Sequence, residues 1–268
     1  MANALKDKIV PVPAVDRAAQ ILRALAAHDT ALGVSDLSRQ LGLNKSTTFD
    51  ILTTLCHHHL VERNDSAKTY QLGYALAELG HHARERIDLR AVAHPHLLEL
   101  AHALEETVFL GTFHEGHVTI ADKEEAPHDL KITSPLGRRI HYSAAAYGKV
   151  FLSALSESEV TKLMRNNPPR AYTPRSITKP SAYRAALHLV RQQGYALDDE
   201  EYLAGVRAAA APINDSQGRV VGALCVVGFS TRLPHDKLLR VAKQARDAAE
   251  KISEQLGAKA YPTWNGVE

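Results

Sequence analysis

The chain has 268 residues, 45% of them apolar and 23% charged, and a formal net charge of +2. That length suggests about two domains, each able to bury a core without a metal or disulfide staple, and the small net charge excludes a globally basic nucleic-acid binder. Cys56 and Cys225 lie far apart in apolar patterns, the N-terminus lacks a signal-peptide run, and no stretch approaches the ~20 apolar residues of a membrane span, so a cytoplasmic protein with reduced thiols is expected.

Residues 14–27 carry Val15, Ala18, Leu22 and Leu25 at helical spacing. Ser35 is placed to cap a short second helix with Leu37 and Leu41 on one side, and Gly42 ends it. Asn44 is placed to cap a third helix reaching about His58. Strands are expected at residues 60–62 and 69–72, around a polar turn. Helix, helix, turn, helix, hairpin is the order of a winged helix-turn-helix, assigned to residues 1–73.

Residues 74–87, "YALAELGHHARERI", form an amphipathic pattern despite Gly80, and another helix covers 90–106. Residues 74–89 therefore read as a helical linker. The second domain, 90–257, opens with "TVFLGTF" and "HVTIADKEE", a strand pair turning at Glu115 and Gly116. "SAAAYGKVFLSAL" reads as a helix of small residues, and Ser156 caps the next. "SAYRAALHLVRQQG" is a helix closed by Gly194, "VRAAAAPIND" and "RVVGALCVVGF" are strands, and a last helix spans about 234–256. The tail, 258–268, reads as loose. The expected class is α+β, two domains, the second with an antiparallel sheet.

At ~100° per residue, Thr48, Ile51, Leu52 and Leu55 fall on the inner side of the third helix. The outer side carries Ser46, Asp50 and Thr53, flanked by Thr47, Thr54 and Phe49. Residues near the N-terminus of such a helix enter the major groove of DNA. Short hydroxyls can reach base edges or phosphates there, and Lys45 adds a phosphate contact. Asp50 is repelled by phosphates unless it meets the N4 donor of cytosine, while Phe49 can lie against a thymine methyl. The competing reading of Asp50 is a solvent-facing acid with a local role. On the wing, Arg63 and Lys68 are placed for the backbone.

The stretch from "PAVDRAAQILRAL" through "LGLNKSTTFDILTTL" to "KTYQLG" resembles the N-terminal domain of IclR-family transcriptional regulators. "AAAYGKVFLSALSESEV", "GYALDDEEYLAGVRAAAAPINDSQGRVVGALCVVGF" and the following "STR" extend that resemblance over nearly the whole chain, in family order. The resemblance implies a winged-helix DNA-binding domain, a linker helix and a GAF-like effector-binding domain. It also implies operator DNA, a small-molecule effector and a second copy as partners, in a homodimer or homotetramer, and no cofactor. Many members carry a basic pair where Phe49 and Asp50 stand, so their operator rules do not transfer.

Carried over residue by residue, the resemblance implies a ligand pocket drawing on His141, Tyr142, Ser143 and Ala145, on Asp198 and Ala208, and on Cys225 and Val227. Pleating places Cys225 and Val227 on one strand face. Ala208, Cys225 and Val227 make this pocket less polar than versions that grip small keto acids with Cys and Ser side chains, which fits an aromatic or otherwise partly apolar ligand, an acid included. Ala208 and Val227 read equally as core, and "DDEE" as an exposed turn. The "CHHHL" run at 56–60 invites zinc, but consecutive helical residues point different ways, so a metal-sensing repressor ranks low. No nucleophile elbow, P-loop, dinucleotide fingerprint or HExxH appears, which argues against an enzyme. The rival from another class is a metabolite-binding interaction protein whose winged domain contacts protein.

Overall fold

Helix α1 (Pro13–Ala26) starts on a proline, whose fixed φ suits a first helical turn, and it turns Ile21, Ala24 and Leu25 inward. The computed structural model describes residues 11–85 and 88–258. The chain divides into two units, Met1–Arg86 and Ile87–Glu268.

In the first unit, α1 is followed by β1 (Leu32–Gly33), α2 (Val34–Leu41), α3 (Lys45–His57), β2 (Val61–Asn64), β3 (Thr69–Leu72) and α4 (Ala75–Glu85). The strands pair antiparallel in the order β1-β3-β2. Ile21, Leu25, Leu37, Leu52, Val61 and Tyr70 form the core between helices and wing. Strand β1 is too short to show in a sequence pattern, and it changes how α2 begins. Gly33 pairs with Thr69, and α2 starts at Val34 with Gly33 in the cap position, so Ser35 is inside the helix and not its cap. Asn44 does stand at the cap of α3, but its side chain makes no capping bond; instead the Thr48 hydroxyl donates to the Asn44 carbonyl at 3.0 Å. The expected helix over residues 74–87 is described as far as Glu85.

The second unit runs α5 (Leu89–Leu104), β4 (Thr107–His114), β5 (His117–Glu124), β6 (Arg139–His141), α6 (Tyr147–Ser153), α7 (Glu157–Asn166), α8 (Pro180–Gln193), β7 (Ala196–Asp199), β8 (Val206–Asn214), β9 (Val220–Phe229) and α9 (His235–Gln255). Six strands form one antiparallel sheet, β6-β5-β4-β9-β8-β7. Pleating divides its side chains between two cores. Leu224 and Val226 of β9 join α5 and α9 on one face, whereas Ala223, Cys225 and Val227 join α6 and α8 on the other. The edge strands β6 and β7 are short, and neither was expected from the sequence.

Two helices differ from expectation. The small-residue helix starts only at Tyr147, because residues 143–146 form a turn in which Ala145 has φ 59°. That turn lies so close to α6 that a Cβ on Gly148 would sit 1.6 Å from the Tyr142 carbonyl oxygen, so only glycine fits. Helix α5 is capped by Asp88, which accepts from the Arg90 amide at 2.9 Å, and it ends at Leu104 with Glu105 in the left-handed region. Glu106 then points inward. Ser156 caps α7 through a reciprocal capping box with Glu159. Of the tail, Ala258 is described, bonded to the Ser253 carbonyl at 2.9 Å; residues 259–268 lie outside the described residues.

Candidate functional site

Helix α3 is set by the turn before it. Gly42 takes φ 65°, and the half-turn is closed from both sides: the Ser38 hydroxyl donates to the Leu43 carbonyl at 2.6 Å, and the Leu43 amide donates to the Ser38 carbonyl at 3.0 Å. Thr48, Leu52 and Leu55 are buried and Ile51 is partly so, which fixes the rotation of the helix. Lys45, Ser46, Phe49, Asp50 and Thr53 are consequently exposed, with Thr47 half-buried. Phe49 keeps 45% of its surface exposed, a large apolar side chain held in water. The hydroxyls of Thr53 and Thr54 donate back to the carbonyls of Phe49 and Asp50, at 2.8 and 3.0 Å. The two hydroxyl donors are thereby spent within the helix. Asp50 pairs with no cation among the described residues. On the wing, Arg63 is engaged at home, 3.3 Å from Asp65 and over the Tyr70 ring, whereas Lys68 is exposed at a left-handed turn position.

In the second unit a cavity of about 130 Å³ opens on the face of the sheet that carries α6 and α8. Its register explains the convergence of distant residues. Asp198 of β7, Ala208 of β8 and Val227 of β9 are direct cross-strand partners in one row, and all three line the cavity together with Ala145. Phe109, Ile120, Ile140, Leu203 and Val206 supply most of the apolar wall. Polar groups come from Thr133, Ser134 and Arg138 in the segment before β6, and from Tyr147 and Tyr202. Because the cavity is walled from beside β6 and from β7, the two outermost strands, the sheet must curl around it.

His141, Tyr142, Ser143 and Cys225, expected beside those four, do not line the cavity. The His141 ring is spent on structure, bonded to the Ser143 hydroxyl at 2.7 Å and to Asn167 Oδ1 at 2.8 Å, and burial pushes its pKa below the ordinary value. Tyr142 donates its hydroxyl to the Asn167 carbonyl at 2.8 Å. The Ser143 hydroxyl accepts from the Arg170 amide at 3.0 Å. Cys225 shares the row of Phe109 and Ala210, one pleat repeat behind Val227, and is fully buried beside Tyr147. His141 at the end of β6, with Tyr142 and Ser143 after it, is thus tied to the segment around Asn167 and Arg170, and of the residues from 141 to 146 only Ala145 reaches the cavity.

Asp198 is 3% exposed, and its Oδ1 accepts from the Glu201 amide at 2.6 Å. Burial, reinforced by the nearby Glu201 charge, raises its pKa from 3.8 to about 6; the Glu201 amide and the Lys149 ammonium act in the opposite sense. Lys149 is a residue the sequence reading missed. It is buried, donating to the Leu197 carbonyl at 2.6 Å and to Glu201 Oε1 at 2.5 Å, so it ties α6 to β7, which carries Asp198, and to the loop after it. The legible signal was a lone cation inside the apolar run "YGKVFLS". The "CHHHL" run shows no converging set: His57 and His58 meet edge-on, and His59 stacks on Tyr74. Among the described residues no three His, Cys, Asp or Glu side chains are grouped to hold a metal.

Two family models match this arrangement, the IclR helix-turn-helix domain over residues 14–65 and the bacterial transcriptional regulator IclR C-terminal domain over residues 81–254. The chain belongs to the IclR family. Among its relatives, the HTH-type transcriptional regulator XynR of Escherichia coli is 34% identical, over 94% of this chain and 98% of its own. The glycerol operon regulatory protein of Streptomyces coelicolor is 35% identical, over 93% and 98%. In structure, Pseudomonas aeruginosa HmgR matches with a TM-score of 0.80 at 26% identity, covering 92% of this chain and 99% of that one. As an IclR-family member, the protein is a transcriptional regulator with a DNA-binding first domain and an effector-binding second domain. Among the described residues no helix is long and apolar enough to cross a membrane.

Proposed function

We propose that the protein binds operator DNA through α3 and the wing, and that a small, partly apolar organic acid in the cavity controls that binding. The observation that carries the reading is the cross-strand row Asp198–Ala208–Val227, which puts one buried carboxylate in the wall of a largely apolar cavity. Ser46, Thr47, Phe49, Asp50 and Thr53 are the base-facing candidates, and Lys45, Lys68 and Arg63 the phosphate-facing ones. With so few cations per wing, stable binding needs at least two copies acting together, so the working form is a homodimer or homotetramer in the cytoplasm. The ligand acts by shifting the population of arrangements that fit two half-sites. Two relatives named as glycerol operon regulatory proteins support an operon as the target, a catabolic one in our reading.

The test is fluorescence anisotropy of the full chain on DNA from upstream of its own gene, against a scrambled duplex, with salt varied. Selective binding that weakens steeply with salt is expected. Salt-insensitive or unselective binding, with and without a cell metabolite extract, would instead favour a protein partner for the winged domain.

A further inference from the structure

Three polar groups of one residue, Glu201, are each held by a different element. Its amide donates to Asp198 Oδ1 of β7 at 2.6 Å. Its carbonyl accepts from the hydroxyls of Thr173 and Ser176, at 3.2 and 2.7 Å, in the segment between α7 and α8. Its carboxylate accepts from Lys149 Nζ of α6 at 2.5 Å. The next two residues, Tyr202 and Leu203, wall the cavity, and the Tyr202 ring meets Tyr172 edge-on at 5.0 Å. The loop begins at Glu200 with φ 64° and ends at Gly205 with φ 74°. A left-handed glutamate is unfavourable in isolation, so this course is kept by the contacts around it.

The charges in this clamp do not balance. Asp198 and Glu201 bring two carboxylates to one ammonium, and the Lys149 side chain is 5% exposed and Asp198 3%. The other groups facing Asp198 supply no positive charge: the Tyr183 hydroxyl of α8 and the Cys225 thiol of β9 are both pushed up by burial and stay neutral. Asp199 is one pleat away and occupied by Arg175 and Arg207, while Arg138 lines the cavity from the segment before β6. One ammonium satisfies one carboxylate, and Lys149 is bonded to Glu201; the excess therefore falls on Asp198, whose pKa of about 6 reflects burial first and the Glu201 charge second. We propose that Lys149 is the positioning residue of this site: its ammonium holds the 200–205 loop against the cavity by balancing Glu201, and without it the two carboxylates drive the loop open. This rests on the cavity being the effector site, and adds a residue that acts on it only through the wall.

The test is hydrogen exchange of the full chain without ligand, near pH 5 and near pH 8, corrected for intrinsic exchange and read on the amides of residues 200–205. The parent should protect the loop at both. Lys149→Met should lose at least about tenfold of that protection near pH 8 and recover most of it near pH 5, where Asp198 carries a proton. Adding Glu201→Gln should restore most of it near pH 8. A role in packing alone would cost the same at both pH values. Glu201→Gln by itself, nearly unchanged in volume, tests the same balance if Lys149→Met does not fold: Asp198 should then titrate at lower pH, as carboxyl NMR would follow. A pH-independent loss in Lys149→Met, no restoration in the double variant, or an unmoved Asp198 titration in Glu201→Gln would overturn the proposal. Operator binding of the parent, measured in parallel, tells this failure from failure of the regulator reading. Selective DNA binding with a loop indifferent to pH leaves the regulator standing without the clamp; unselective binding with the loop behaving as described leaves the clamp without the regulator.

Discussion

Asp198 places a cost on the unliganded fold. The folded chain keeps its proton up to about pH 6, whereas an ordinary aspartate releases it near 3.8. A raised acid therefore favours folding below pH 3.8, and this contribution is lost as pH climbs through the window to about 6. Glu201 and Lys149, the charged groups facing it, act in opposite directions and do not reverse the sign. Asp198→Asn keeps the shape and the acceptor for the Glu201 amide without the charge. At pH 7 it should stabilise the unliganded protein by roughly 2–3 kcal/mol, and near pH 4 by far less. Urea unfolding at the two pH values measures this; equal shifts at both would mean that the carboxylate is not held as described.

The recognition helix and the sheet ends each carry a load that can be removed. In α3, Asp50→Asn removes a charge that phosphates repel, so affinity for scrambled DNA should rise a few-fold and preference for the operator should fall. Competition anisotropy reads both; unchanged selectivity would return Asp50 to a passive solvent-facing role. In the second unit, Glu106 is 1% exposed and grips Arg232 through two bonds of 3.0 and 3.1 Å, joining the start of β4 to the turn after β9. Arg232→Met should cost about 3–5 kcal/mol by leaving a buried carboxylate alone, and adding Glu106→Gln should recover part of it, as a denaturation double-mutant cycle would report. Much of this architecture was legible in the sequence, since strong periodicity placed α1, α3, α8, β8, β9 and α9. What escaped it was set by tertiary context. Strands β1, β6 and β7 have only two to four residues and exist through their pairing partners. The turn at 142–146 looks helical by composition, but the approach of the Tyr142 carbonyl to Gly148 holds it outside α6. His141 at the end of β6, and Tyr142 and Ser143 just after it, turn away from the cavity, whereas Asp198, Ala208 and Val227 came only from the family resemblance, since no periodicity marks β7 and cross-strand register is set by tertiary pairing.

For the whole molecule, a net charge of +2 leaves binding to a few local cations. If each wing of a dimer commits Lys45, Arg63 and Lys68, six phosphates are neutralised, and log K against log salt should fall with a slope of about −5, or half that for one wing. An anisotropy salt series gives the slope; a value near zero would disconnect these cations from DNA. Arg63 must first leave Asp65, so Asp65→Asn should raise the affinity at a given salt concentration. With the Thr53 and Thr54 donors already spent on their own helix, and the Phe49 ring exposed beside them, this part of the outer face of α3 has no free hydroxyl donor to surrender when it meets a groove. Docking there removes methyl and ring surface from water. The calorimetric imprint is a negative heat-capacity change from the reading helix itself, so operator affinity should curve with temperature as apolar association does.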